Sequence, residues 1–263
     1  MATEERDWYD TPLYYDIIFD ADTAREGAFL EAVQARHGRT RGRQMLEPAC
    51  GSGRLVAEMA RRGWKVSGFD GSERMLDFAR ERLQQQGLKA RLWHDWLQSF
   101  TVPGKVQPSF DLAHCLVSTF KYLLTEADAV AHLRRVAACL KSGGLYALGI
   151  HLSDYGRALP EHERWVGERD GVHVVCNTRS WPADRATRLE AMRNRLKITR
   201  GSATHTQETR WQFRTYNAAQ VRALIRKAPE LTLLACYDFT YDIEASRELD
   251  DSYSDVILVL RRQ

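Results

Sequence analysis

The chain has no apolar run approaching the roughly 18 residues of a membrane span, no CxxC pair among its five cysteines and no block of like charge. Its opening, MATEERDWYD, is acidic where a secretory leader would be basic and then apolar. Cys50, Cys115, Cys139, Cys176 and Cys236 are widely spaced and mostly set among apolar neighbours, which predicts reduced core thiols. No set of His, Cys, Asp and Glu has metal-ligand spacing, so no metal is expected. The 38 basic and 35 acidic residues alternate along the chain and leave a formal charge of +3. The most basic stretch, Arg188 to Arg200, is interrupted by Leu189, Glu190, Met192, Leu196 and Ile198, the pattern of a solvated strand face. Nucleic acid is therefore a disfavoured partner, a membrane is not expected, and a cytoplasmic enzyme, monomeric or homodimeric, fits. No repeat or low-complexity tract breaks the chain.

What is present suits one large α/β domain: 263 residues with 44% hydrophobic content can fill a conventional core. We read residues 1–263 as a single domain. Helices are expected over Leu13 to Phe19 and Arg25 to His37. From Gln44 the pattern alternates: strand Gln44 to Glu47, helix Gly53 to Arg62, strand Lys65 to Asp70, helix Glu73 to Gln86, strand Ala90 to Trp93, strand Phe110 to Val117, helix Glu126 to Leu140, and strand Leu145 to Ile150 after a Gly143-Gly144 turn. Short apolar strands separated by helices of this length predict βαβ units and a mainly parallel sheet. After His151 the rhythm changes to antiparallel strands joined by polar turns, so residues 152–215 are expected to form an inserted antiparallel sheet, a lid or dimerisation sheet. Helix Asn217 to Lys227 and strands Leu231 to Phe239 and Asp255 to Leu260 close the chain, the last two pairing antiparallel at the edge of the main sheet.

The chemistry concentrates between Met45 and Met75. The first strand ends at Glu47 and runs into Pro48, Ala49, Cys50, Gly51, Ser52 and Gly53, small residues that let a ligand approach the backbone. The second strand ends at Asp70, a carboxylate placed to chelate two ribose hydroxyls, and Asp95 follows the third in His94-Asp95-Trp96. The bland reading of the glycine turn alone is a tight connection without a ligand. A dinucleotide site is the serious rival, but its GxGxxG fingerprint wants a third glycine where Val56 stands, and it calls for neither an acid in the loop itself nor helices ahead of the first strand.

With these residues in view, the chain resembles the class I S-adenosylmethionine-dependent methyltransferases: EPACGSGR, GFDGSERML and HDW look like that family's first motif and its successors. The resemblance implies a Rossmann-like, seven-stranded, mainly parallel sheet with an antiparallel last strand, and S-adenosyl-L-methionine lying across the strand ends. By position it assigns cofactor contacts to Tyr15, Glu47, Ala49, Cys50, Gly51, Gly53, Asp70, Gly71, Met75, His94, Asp95, Trp96, Leu116 and Val117. The Tyr14-Tyr15-Asp16 opening, the stretch Ser118 to Leu123 and the late insertion are similar to small-molecule N-methyltransferases, including those acting on amino sugars. The implied reaction is in-line methyl transfer to a small-molecule acceptor, an amine; methylation of RNA or protein, and non-catalytic cofactor binding, are the alternatives. Candidate catalytic residues are His151 and Tyr15, and candidate acceptor contacts are Tyr14, Ser118, Tyr155, Trp181 and Trp211. For His151 the plain alternative is a loop histidine, and for the tryptophans sheet packing.

Overall fold

A computed structural model describes residues 3–104 and 108–263. Two sheets organise it. The larger has seven strands: β2 (Gln44–Pro48), β3 (Lys65–Asp70), β4 (Arg91–His94), β5 (Phe110–Cys115), β6 (Leu140–His151), β11 (Leu231–Tyr237) and β12 (Asp255–Arg262), in the spatial order β11-β12-β6-β5-β2-β3-β4. Strands β2 to β6 pair in parallel, and β12 runs antiparallel to both β6 and β11. The closing pair does sit at the sheet edge, but the chain's last strand lies one position in from it and β11 takes the edge. Because β3 and β5 flank β2 on opposite sides, the chain reverses its direction of travel across the sheet there. The crevice between the carboxyl ends of β2 and β5 is where open α/β sheets bind ligands.

Helices cover both faces: α2 (Thr23–His37), α3 (Arg54–Arg61), α4 (Glu73–Gln85), α5 (Glu126–Cys139) and α6 (Ala218–Arg226). Their starts follow from local chemistry. The side chains of Ser72, Thr125 and Asn217 accept from the backbone N–H groups of Met75, Asp128 and Gln220, capping α4, α5 and α6. Gln220 reciprocates to Asn217 and completes a capping box. Leu55, Val56 and Met59 of α3 pack on Met45 and Val66, while Leu133 and Val136 of α5 pack on the opposite face with Leu46 and Ala113.

The second sheet orders five strands as β1-β10-β9-β8-β7: β1 (Thr3–Glu5), β7 (Glu161–Arg169), β8 (Val172–Ser180), β9 (Leu189–Arg200) and β10 (Ala203–Arg214). The last four form the antiparallel insertion; β1, which the polar start gave no reason to expect, adds in parallel beside β10. Its inner face rests on α1 (Pro12–Phe19) through Ile17, Val172, Val174, Cys176, Leu196 and Ile198, with Trp8 filling the seam. One sequence expectation fails plainly. Gly143-Gly144 is no turn ahead of a strand, because β6 starts at Leu140 and runs through both. Gly143, at φ +79°, lets the strand bulge where its register against β5 shifts between Phe110 and Leu112.

Candidate functional site

The strand ends at the crevice carry three adjoining hollows. The largest, a trough of about 710 Å³, is lined by Tyr9, Tyr15, Ala49, Gly51, Asp70, Gly71, Asp95, Trp96 and Tyr122 among others. A narrow niche beside it is lined by Tyr15, Glu47, Ala49, Cys50, Gly51, Arg54, Leu116, Val117 and Thr119. A third hollow, under the inserted sheet, is lined by Trp8, Phe19, Val117, Ser118, His151, Glu163, Trp165, Asn194 and Trp211 among others. Tyr15 is common to trough and niche, and Val117 to niche and third hollow.

The loop between β2 and α3 is built for backbone exposure: Ala49, Gly51 and Gly53 all have positive φ, at +53°, +54° and +71°. Gly53 is needed for space as well as conformation, since a Cβ there would meet the Ala79 Cβ at 2.6 Å. Asp70 closes over this loop, one carboxylate oxygen accepting from Gly51 N–H at 2.8 Å and the other from Ser72 N–H at 2.8 Å. Burial raises its pKa despite these two bonds and the one from Gly71. The carboxylate is thus fixed by backbone donors, with lone pairs left for a diol in the trough. Trp96, 55% exposed, lies flat over Gly71, where a Cβ would come within 2.7 Å of its ring. Asp95 spends both oxygens on its own loop, accepting from Trp96 N–H and Thr101 N–H.

The niche holds opposite charges. Arg54 is buried and ion-paired to Glu26, and Glu47, also buried, leaves its Oε2 without a hydrogen bond. Burial pushes the Glu47 carboxyl well up, and it depresses the neighbouring His114, 3.6 Å away, to about 3. An amino-acid zwitterion suits that pair: an ammonium would satisfy the orphaned Glu47 oxygen and a carboxylate would lie toward Arg54. The residues present therefore fit S-adenosylmethionine, its adenosine in the trough and its methionine in the niche.

At the end of β5 the backbone is forced. Val117 and Ser118 have φ +58° and +62°, an uncommon state for any residue with a side chain and an outlier for a β-branched one. Ser118 is held there, its Oγ accepting from His151 N–H at 2.7 Å and its carbonyl from Lys121 N–H at 2.9 Å. His151 lies 3.4 Å from Asp255 with 38% of its side chain still open. Desolvation and nearby Lys121 lower its pKa to about 4, so its imidazole is neutral at pH 7.

Not every residue singled out from the sequence meets the hollows. Tyr15 does, but its neighbour Tyr14 points the other way, its ring 5.8 Å from that of His205. Tyr155 is spent on Thr215 and Gln220 at a separate surface hollow, and Trp181 stacks under Arg179 and Arg193 on the far side of the inserted sheet. Met75 and Gly53 lie behind the trough wall, and His94 caps the Gly71 carbonyl at 3.0 Å from an exposed position. Conversely, Tyr9, Arg54, Tyr122 and Asn194 line the hollows and were not singled out. The signal for Arg54 was present in GSGR. For Tyr9, in the DWYD of residues 7–10, it was masked by flanking acids; Tyr122 lay within the noted stretch Ser118 to Leu123, and no pattern marks Asn194.

The fold and the strand-end acids form a crevice suited to a nucleotide-type ligand at the carboxyl ends of the parallel strands. Comparison with known proteins agrees: residues 45–144 match the family described as methyltransferase domain. A methyltransferase-designated protein of Geobacillus sp. (strain WCH70) is 27% identical over 147 residues, 55% of each chain, so this chain spans about half the length of that relative. In fold, the chain is similar to an S-adenosylmethionine-dependent methyltransferase from Clostridium acetobutylicum ATCC 824, with a TM-score of 0.76, 18% identity, and 97% and 98% of the two chains covered. It is also similar to a sugar N-methyltransferase from Streptoalloteichus sp. ATCC 53650, with a TM-score of 0.71, 18% identity, and 100% and 96% covered. Residues 45–144 thus match a methyltransferase domain, and the chain has the fold of solved S-adenosylmethionine-dependent methyltransferases.

Proposed function

We propose that this protein transfers the methyl group of S-adenosylmethionine to a small-molecule amine that occupies the hollow beneath the inserted sheet. The observation that supports the reading is the row of three hollows joined at Tyr15 and Val117, along which adenosine, sulfonium and acceptor would lie in line. The cofactor supplies a methyl already activated by its sulfonium, so the protein's task is to align the two reactants and keep water out. Val117, shared by niche and acceptor hollow, sets their separation. The acceptor nitrogen, once it has given its ammonium proton up to solvent, would attack as the free amine, its lone pair forming the N–CH3 bond as the C–S bond breaks and its electrons return to sulfur. His151, neutral at pH 7 and 3.4 Å from Asp255, would relay the proton released from the methylated nitrogen to solvent. Tyr15 positions the cofactor, and Ser118 holds the backbone rather than the acceptor. The inserted sheet serves as the lid. Support for an amine comes from the sugar N-methyltransferase of the same fold and from the carboxylates that face the hollow.

The test is to incubate the protein with S-adenosylmethionine and a panel of small amines and alcohols, following S-adenosylhomocysteine release and the mass of each acceptor. Methylated amines support the reading; methylated alcohols alone would move it to oxygen, and cofactor binding with no turnover on any acceptor would leave a binding protein. Asp70→Asn should raise the S-adenosylmethionine concentration needed for whatever turnover is found.

A further inference from the structure

The hollow beneath the inserted sheet is walled by the inward-facing residues of four strands, and their polar groups are unevenly matched. Three of the nearby carboxylates have partners. Glu190 pairs with Lys121 at 2.6 Å and Arg157 at 3.9 Å, Glu161 with Arg157 at 2.7 Å, and Asp255 faces His151 at 3.4 Å. Glu163, the fourth, makes no hydrogen bond or ion pair among the described residues, although it faces the same hollow. The negative charges of Asp255 and Glu161, added to desolvation, make its ionisation harder. An incoming cation would relieve all three effects at once.

An independent mismatch lies two strands along the same sheet, where Asn194 pairs with Thr178 and Thr178 with Glu163. Asn194 is fully buried; its Oδ1 accepts from Thr178 Oγ1–H, which fixes the amide so that Nδ2 faces elsewhere, and that Nδ2 has no partner among the described residues. Trp211 Nε1, on the next strand and also lining the hollow, is likewise buried and unpartnered. Buried donors left open in a native wall are rare, and here two of them ask for oxygen acceptors. Phe19, Trp165, Trp211 and Phe213 supply the faces on which a cation is attracted to ring electrons.

We infer that Glu163 and Asn194 are the specificity-determining pair of this hollow, Glu163 selecting a positive charge and Asn194 an oxygen acceptor on the same small molecule. The inference rests on the acceptor role given to the hollow above. Glu163 is open to solvent at one side and is not placed to touch the sulfonium niche, so its task is selection, while His151 keeps the proton-transfer role.

The experiment titrates cyclohexylamine, cyclohexanol and trans-4-aminocyclohexanol into the protein at pH 7, with and without saturating S-adenosylhomocysteine. Binding is read from the fluorescence of the tryptophans that line the hollow. The amine should bind roughly tenfold more tightly than the alcohol, a single charge-assisted contact, and the aminoalcohol more tightly than the simple amine. Glu163→Gln should abolish the preference for charge while leaving the affinity for S-adenosylhomocysteine unchanged, and Asn194→Ala should abolish the preference for the added hydroxyl. Should the buried Asn194 variant fail to fold, the comparison of the two amines on the unaltered protein decides. Equal binding of amine and alcohol, a charge preference that survives Glu163→Gln, or no binding of any of the three would overturn the assignment. Failure of S-adenosylhomocysteine to bind would count against the methyl-donor reading instead, and the titrations without it would still judge this pair.

Discussion

At the scale of single residues, two side chains carry most of the account. Asp70 is oriented before any ligand arrives, because Gly51 and Ser72 N–H groups hold both of its oxygens. Asp70→Asn keeps the shape but replaces one acceptor oxygen by a donor facing a backbone N–H. Calorimetric affinity for S-adenosylhomocysteine should fall by roughly tenfold to a hundredfold, the size of one lost charge-assisted hydrogen bond. Val117 makes the opposite kind of prediction. Its left-handed backbone costs about 1–3 kcal/mol, which glycine would not incur. Val117→Gly should therefore leave the unfolding free energy, read from urea denaturation, within about 1 kcal/mol of the unaltered protein, far from the usual cost of emptying a half-buried valine, yet slow methyl transfer because the wall between niche and acceptor is gone. A large loss of stability would show that the side chain's packing, and not its backbone strain, governs the turn.

At the scale of elements, the segment ahead of the main sheet ties the two sheets together. Trp8 stacks on Trp211 at 5.3 Å and meets Tyr15 edge-on at 5.1 Å, so one side chain joins β10 to α1 directly above the crevice. Trp8→Ala should cost about 3–5 kcal/mol and speed hydrogen exchange in β1 and β10 before it does so in β2 or β5; uniform acceleration across both sheets would contradict a local seam. This element was the least legible from sequence. The strands of the main sheet announced themselves through short apolar runs and glycine turns, and the insertion through alternation. Thr3 to Asp10 reads as a polar start, because an added parallel strand needs no apolar pattern of its own and the buried Trp8 and Tyr9 stand between acids. For the same reason Tyr14 was misplaced: Tyr15, expected near the cofactor, lines the crevice, but Tyr14, expected at the acceptor, is turned by the docked sheet toward His205. The Gly143-Gly144 pair misled in a simpler way, since a strand bulge and a turn use the same residues.

At the scale of the whole molecule, the balance between folded and unfolded chain should respond to acid through His132. It is fully buried between Leu97 O and Tyr146 Oη, and desolvation lowers its pKa to about 4. A histidine depressed in the folded state is protonated first in the unfolded chain, so stability falls as pH drops below about 6.5 and the loss is complete below about 4. The expected loss from this one residue is on the order of 3 kcal/mol, seen as a falling urea midpoint. His132→Gln should flatten that part of the curve, and an unchanged slope would contradict it. The cofactor site was largely legible because its three acids end three successive strands, a pattern fixed by topology. The acceptor hollow was not, because its walls come from strands far apart in sequence, and neither Glu163 nor Asn194 sits in any motif. The claim on which the rest depends is the identity of the ligand in the crevice. Isothermal titration of the unaltered protein with S-adenosylhomocysteine and, separately, with NAD tests it directly. The account predicts saturable one-to-one binding of S-adenosylhomocysteine and none of NAD; binding of NAD alone would contradict it.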